Sequence, residues 1–128
     1  MNHFDIEEFS SPDKPGSGRF MDKDFLENLD KAREIAGTCF VISSGYRTEE
    51  HNKKVGGSKT SSHLDGLAVD IECNNSVERH LIIDSLYQMG FSRIGVAKTF
   101  IHVDCSGDKP DVHYLYTDYR SKKLMNNK

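Results

Sequence analysis

Two imidazoles and one carboxylate lie in two short segments of this chain, and their chemistry suits a divalent metal. Residues 61–70 read SSHLDGLAVD and contain His63 and Asp70, while residues 100–104 read FIHVD and contain His102. Neutral imidazole nitrogen and carboxylate oxygen are zinc ligands, and three protein ligands leave a fourth position open for water. Zinc lowers the pKa of such a water toward ~7, which makes it a nucleophile at neutral pH. The residues therefore predict one catalytic Zn²⁺ ion and a metallohydrolase.

The spacing within these segments predicts which side chains share a face of a sheet. A chain reversal near Gly66 would bring the first histidine and Asp70 to one edge, with His102 on a neighbouring strand. Strand residues two apart share a face, so Asp104 is expected beside His102, and Glu72 beside Asp70. Asp104 is the candidate general base, although it is equally suited to orienting a ligand histidine by a hydrogen bond. Glu72 is a further candidate base.

Two helices and a small set of strands are expected to position these residues. Apolar residues at helical spacing predict helices over 22–36 and 75–89. Thr48 is placed to cap a short helix over 49–54. Apolar runs predict strands, the last two of them a hairpin, at residues 40–43, 66–72, 91–96 and 99–105. We therefore expect an α+β fold with a small, mainly antiparallel sheet flanked by helices.

One domain is expected, because 128 residues are enough for one core of ordinary size. The domain is predicted to span residues 1–118, and the polar residues 119–128 to form a C-terminal tail. The N-terminal arm is rich in serine, proline and glycine, and we expect Phe4, Ile6 and Phe9 to pin it to the core.

Composition and charge argue against several classes of partner. The net charge of −3 and the pI near 6.0 give no basic surface for nucleic acid. No apolar run approaches the length of a membrane span, so membrane insertion is not expected. The first eight residues lack the basic and apolar regions of a secretory signal, which predicts synthesis in the cytoplasm. A substrate outside the cytoplasm would then require delivery.

Three cysteines are present, at positions 39, 73 and 105. They cannot all pair within one chain, and none has CxxC spacing. Each lies in or beside an apolar run, so we expect reduced, buried thiols.

The same segments resemble a known family. Residues 61–70 fit the pattern SxHxxGxAxD, residues 44–47 read SGYR, and His102 falls where a second histidine is expected. By these motifs the chain resembles the zinc D-alanyl-D-alanine carboxypeptidases, peptidase family M15. That family of peptidoglycan peptidases includes phage endolysins and shares its zinc site with the hedgehog signalling domain. The resemblance covers roughly residues 4–116.

The resemblance implies that His63, Asp70 and His102 bind zinc and that Arg47 faces the active site. Arg47 is suited to this place, because a guanidinium can hold a substrate carboxylate or stabilise an oxyanion. The implied reaction is hydrolysis of an amide bond in a peptidoglycan stem peptide, by a carboxypeptidase or an endolysin-type endopeptidase. The implied place of action is the cell wall, reached through a partner or a phage particle.

One departure from the family pattern leaves alternatives open. Many relatives place a catalytic carboxylate three residues before the second zinc histidine, where this chain has Thr99. A zinc-stabilised binding module or a virion component that retains the fold without turnover is therefore an alternative, as is a metal-free structural domain. A third alternative is an iron oxygenase that uses His102, Asp104 and His113, although it would leave SxHxxGxAxD unexplained.

Overall fold

The computed structural model describes residues 1–105 and 113–115, and in these residues the chain forms an α+β fold. The helices are α1 (Lys23–Ala36), α2 (Glu49–Lys54) and α3 (Ser76–Gln88). The strands are β1 (Ile42–Ser44), β2 (Ala68–Glu72), β3 (Arg93–Val96), β4 (Phe100–Asp104) and β5 (His113–Leu115). Short 3-10 helices span Ile6–Phe9, Ser17–Phe20 and Ser62–Asp65. All three predicted helices and all four predicted strands are present, close to their predicted bounds.

The described strands form one sheet in the order β1-β2-β4-β3-β5. The pairs β1–β2, β2–β4 and β3–β4 are antiparallel, and β5 pairs with β3 in parallel. The sheet is thus mainly antiparallel, as predicted. Its register aligns Ser44, Asp70, His102 and Gly95 in one row across four strands.

The two faces of the sheet differ in chemistry because strand side chains alternate in direction. One face contributes buried aliphatic side chains to the core, namely Val69, Ile71, Ile94, Ile101 and Val103. The core also contains Phe25 and Leu29 from α1 and Ile82 and Leu86 from α3. The helices therefore cover the apolar face, and the row that contains Asp70 and His102 lies on the other.

Side-chain caps begin the helices where the sequence predicts them. Asp22 accepts a hydrogen bond from the backbone N–H of Phe25 at 2.9 Å and begins α1. Thr48 accepts one from the N–H of His51 at 3.1 Å and begins α2. These caps satisfy donors that the first helical turn leaves without partners.

Arg79 ties α3 to the turn between β3 and β4. Its Nη2 donates to the carbonyl of Lys98 at 2.8 Å and to that of Ala97 at 3.4 Å. Because β4 begins two residues after Lys98, this contact helps to fix the strand that carries His102.

Two expectations about burial were wrong. Ile6 is 38% exposed and does not belong to the buried core. Phe4 and Phe9 do pin the arm, with ring centroids 5.1 Å apart. Cys39 and Cys105 are exposed, whereas Cys73, which directly follows β2, is buried in the core. No disulfide joins any two of the three cysteines, all of which lie within the described residues.

Residues 119–128, predicted as a polar tail, lie outside the described residues. In the part of the chain that is described, none of the helices combines the length and apolar character needed to cross a membrane.

Asp30 of α1 holds the N-terminal residues against this helix by hydrogen bonds. Its carboxylate accepts the backbone N–H groups of Asn2 and His3 at 3.0 and 2.9 Å. Burial raises the pKa of Asp30. The hydrogen bonds and nearby positive charge lower it by a larger amount, so the net pKa is below the ordinary 3.8. The ionised form therefore stabilises the fold above pH 4, and this contribution is lost as the pH falls through the lowered pKa.

We expect Asp30→Asn to lower the free energy of unfolding by about 1–2 kcal/mol at pH 7, and by less at pH 3. Thermal melting at both pH values measures the difference. Glu34→Gln, an exposed change on the same helix, is the matched control and should have little effect. An equal loss at both pH values would contradict the assignment.

Candidate metal centre

Three side chains from separate segments converge on the polar face of the sheet. His63, Asp70 and His102 each offer one ligand atom, and these atoms lie within 4.8 Å of one another. The Oδ1 atom of Asp70 lies 2.8 Å from Nδ1 of His102 and 3.4 Å from Nε2 of His63. The two histidines are buried, and Asp70 is partly buried. The structure thus brings together the three residues that the sequence predicts as metal ligands.

His63 is held from its backbone and from its ring. Its N–H donates to the Ser61 hydroxyl at 3.2 Å, and its carbonyl accepts from the N–H of Arg47 at 3.1 Å. Ring atom Nδ1 lies 2.7 Å from the carbonyl oxygen of Gly45. Because a carbonyl only accepts, Nδ1 must carry the proton. In the neutral ring, Nε2 therefore carries no proton, and its lone pair faces Asp70 and is available to a metal ion.

Gly66 makes the chain reversal that separates His63 from Asp70. Its φ of 70° is in the left-handed region, which favours glycine. A Cβ at this position would also lie 2.3 Å from the carbonyl oxygen of Phe20. The N–H of Asp22 donates to the Gly66 carbonyl at 2.9 Å. The segment before α1 therefore packs directly against the turn between His63 and Asp70.

His102 is oriented by a carboxylate on its other edge. Its Nε2 lies 2.7 Å from Oδ2 of Asp104, and its Nδ1 faces Asp70. Asp104 is 2% exposed and also accepts from Nε of Arg93 at 3.2 Å. Arg93 on β3 is the strand partner of Asp104 on β4. The side chain of Asp104 therefore lies on the edge of the imidazole ring away from Asp70.

The electrostatics favour an ionised Asp70. Burial raises its pKa, but hydrogen bonds from His102 and His63 outweigh burial and hold the pKa far below the ordinary value. Burial lowers the pKa of His102, whereas hydrogen bonds to Asp104 and Asp70 raise it, and the net shift is upward. A cation bound between these groups would take the place of the shared proton.

The donor set fits a zinc ion. Because Nε2–H of His102 is donated to Asp104, the Nδ1 lone pair of a neutral ring faces a carboxylate oxygen at 2.8 Å. Two acceptors at this distance need a proton or a cation between them. With Nε2 of His63, they make two imidazoles and one carboxylate, a set that zinc accepts with a position left for water. It is the one such cluster of His, Cys, Asp or Glu within residues 1–105 and 113–115.

Arg47 lies beside this cluster, as the sequence predicts. Its Nη2 is 3.5 Å from Oδ2 of Asp70, and its side chain is 15% exposed. Nε donates to the hydroxyl of Ser44 at 3.0 Å, and Nη1 donates to Oδ1 of Asn52 at 3.2 Å. The guanidinium thus contacts the carboxylate through the oxygen that does not face the histidines.

The other residues considered from the sequence, Glu72, Thr99 and His113, are not part of this cluster. Glu72 is exposed at the end of β2, opposite Phe100. Thr99 is exposed in the turn before β4. His113 on β5 pairs in register with Ile94, whereas His102 pairs with Gly95.

Sequence reasoning missed three residues that hold the site. These are Gly45, Asn52 and Arg93, which contact His63, Arg47 and Asp104. Arg93 had a partial signal: the sequence predicts a hairpin here, but its expected centre at residues 97–98 would pair Arg93 with His102, whereas the observed register, centred on residues 98–99, pairs it with Asp104. Asn52 had none, since nothing in its neighbours marks it as buried.

A groove of about 480 Å³ opens beside Arg47, between α2 and the loop that follows it. Asn52 lines its inner wall together with Leu64, which follows His63 in the chain. Lys53 and Lys59 are exposed at its rim. Glu49 also lines the groove, so two basic side chains and one acidic side chain surround the wall at which Asn52 contacts Arg47.

Comparison with models of protein families matches residues 2–104 to a family described as Peptidase M15. The match spans most of the chain and includes every residue of the cluster, so the class of the protein is a peptidase. The chain belongs to the Peptidase M15 family. Because the chain belongs to this family, the iron-oxygenase alternative is wrong. No curated protein matches the chain at a significant level of similarity.

Zinc added to metal-free protein should raise the melting temperature. At a free zinc concentration 100 times the Kd, binding to the folded state alone adds about 2.7 kcal/mol to the free energy of unfolding. His63→Ala should abolish this shift, and His80→Ala, which removes an exposed histidine of α3, should keep it. Calorimetric melting and elemental analysis provide the measurements. Equal zinc binding by the His63→Ala variant would overturn the ligand assignment.

Proposed function

We propose that the protein is a zinc-dependent peptidase that hydrolyses an amide bond in peptidoglycan stem peptides, by carboxypeptidase or endolysin-type endopeptidase action. The observation that carries the proposal is the convergence of His63 Nε2, His102 Nδ1 and an Asp70 oxygen within 4.8 Å. Membership of the Peptidase M15 family supports the peptide substrate. The resemblance of the SxHxxGxAxD and SGYR motifs to peptidoglycan peptidases supports the finer substrate class.

His63, Asp70 and His102 would hold the metal. A zinc ion bound there would supply a Lewis acid for the scissile carbonyl and a water of lowered pKa. The protein contributes the fixed tautomers: Gly45 holds the proton on Nδ1 of His63, and Asp104 holds it on Nε2 of His102. Such partners behind metal ligands increase metal affinity and fix ring orientation.

Arg47 is the residue proposed to act on the substrate. Its guanidinium is partly exposed beside Asp70 and adjoins the groove through Asn52. From this position it would bind a substrate carboxylate or the oxyanion that develops during hydrolysis. Lys53 and Lys59 at the rim of the groove outnumber its one acidic lining residue, Glu49, and would favour a peptide that carries carboxylates.

Asp104 has contacts that favour one of its two possible roles. The two nitrogens of an imidazole point to different edges of the ring, and Asp104 occupies the edge away from Asp70. In that position it orients His102, and the same oxygen, Oδ2, also accepts a hydrogen bond from Arg93. We therefore propose that Asp104 is a positioning residue.

A binding module without turnover is the second candidate function. It is favoured by Thr99, which is exposed in the turn before β4 where many relatives carry an acid. Such a module would bind zinc and cell-wall peptide and release no product.

Incubation of the zinc-loaded protein with purified peptidoglycan should release new amino groups. His102→Ala should lower the rate by at least ~100-fold because it removes a metal ligand, and His80→Ala should keep the rate. Derivatisation of free amines followed by mass spectrometry measures the rate and identifies the bond. Zinc binding without any release of amines would favour the binding module.

Removal of the Asp104 carboxylate separates its two roles. If it orients His102, Asp104→Ala should weaken zinc affinity about 10- to 100-fold, and saturating zinc should restore much of kcat. Zinc affinity by competition with a chelator and kcat at several zinc concentrations are the measurements. Asp84→Ala, on the exposed side of α3, is the control. Unchanged zinc affinity with lost kcat would instead identify Asp104 as the general base.

A further inference from the structure

Asn52 is a buried amide whose two ends both have partners. Its side chain is at the inner wall of the groove, and the residue is 4% exposed. Oδ1 accepts a hydrogen bond from Nη1 of Arg47 at 3.2 Å, and Nδ2 donates to the carbonyl of Ser58 at 2.9 Å. A flipped amide would place NH₂ against the guanidinium and oxygen against the carbonyl. The contacts therefore allow one orientation of the amide.

Gly57 brings the loop after α2 against this amide. Its N–H donates to the backbone carbonyl of Asn52 at 2.8 Å. A Cβ at Gly57 would lie 2.0 Å from Oδ1 of Asn52 and 3.0 Å from Nη1 of Arg47. A side chain at this position would thus collide with the acceptor that holds the guanidinium. The loop closes on Arg47 only because residue 57 is glycine.

The guanidinium of Arg47 is held at three nitrogens. Nε contacts Ser44, Nη1 contacts Asn52, and Nη2 faces Asp70. Ser44 and Asp70 are strand partners on β1 and β2, whereas Asn52 comes from α2. Asn52 is therefore the contact that ties the arginine to the helix and the loop at the groove.

We propose that Asn52 is a positioning residue for Arg47, which it holds with its guanidinium between the metal cluster and the groove. Gly57 permits this contact. An effect on hydrolysis rests on the proposed function, since Arg47 is the group that would touch the substrate. The effect of Asn52 on the mobility of Arg47 does not rest on the proposed function, because this mobility is measured without substrate.

The first measurement is ¹⁵N relaxation of the Nε–H group of Arg47, assigned by its loss in Arg47→Met. We expect an order parameter near ~0.85 in the wild-type protein and below ~0.6 in Asn52→Leu. Asn52→Asp keeps an acceptor for Nη1 and loses the donor to Ser58, so it should keep the rigid signal. Asn74→Leu, an exposed change, is the matched control. A rigid Arg47 in Asn52→Leu overturns the proposal.

The second measurement is a double-mutant cycle on kcat/KM for peptidoglycan hydrolysis. Arg47→Met should cost about 100-fold and Asn52→Leu about tenfold. In the double variant, the loss should equal that of Arg47→Met alone, because Asn52 acts through Arg47. Additive losses would show that Asn52 acts on the loop instead and overturn the proposal.

The two measurements separate the two proposals. If the wild-type protein hydrolyses nothing, the proposed function fails, and the relaxation of Arg47 still decides the role of Asn52. If Asn52→Leu does not fold, Asn52→Ala replaces it with the same expected loss of order at Arg47. Melting curves with and without zinc identify variants in which the metal cluster is intact.

Discussion

The antiparallel pairing of β2 with β4 is the constraint on which the site depends. Its register places Asp70 directly opposite His102, and the same alternation sends Val69, Ile71, Ile101 and Val103 into the core. A shift of one residue in either strand would turn the ligands inward and the aliphatic side chains outward. Burial of those aliphatic side chains therefore selects the register that assembles the metal cluster. The remaining candidate ligand, His63, reaches the same face through the short reversal at Gly66.

Around this register, each group of the cluster has a partner behind it. Gly45 and Asp104 fix the protons of the two histidines, and Arg93 contacts Asp104 in turn. Burial raises the pKa of Asp70, but without a metal the rings of His102 and His63, when they also carry a proton on the nitrogen that faces Asp70, outweigh burial and keep the carboxylate ionised. The result is a set of donor atoms directed at one point before any metal binds. Pre-oriented ligands of this kind lose little freedom when a metal binds, which supports a resident ion in a member of this peptidase family.

Much of this arrangement can be predicted from the sequence, for identifiable reasons. The helices over 22–36 and 75–89 and the hairpin before Asp104 follow from apolar periodicity and caps, which are local signals. The three candidate ligands, which the structure brings together, follow from residue types and motif spacing. Asn52 and Gly45 could not be predicted, because their roles depend on contacts with Arg47 and His63 that only the folded chain creates. The burial of Ile6, Cys39 and Cys105 was wrongly predicted for a related reason: an apolar side chain is covered only if another segment reaches it.

The N-terminal arm has a consequence that extends to the ligands. The carbonyl of Phe9 accepts the N–H of Tyr46, and a Cβ at Gly45 would lie 2.7 Å from that same carbonyl oxygen. Gly45 is also the residue whose carbonyl holds the ring of His63. The N-terminal segment through Phe9, which contains none of the candidate ligands, therefore supports the position of the His63 ring. Local unfolding of this segment and metal binding should be thermodynamically linked, so the zinc-bound protein should show slower amide hydrogen exchange in its first nine residues.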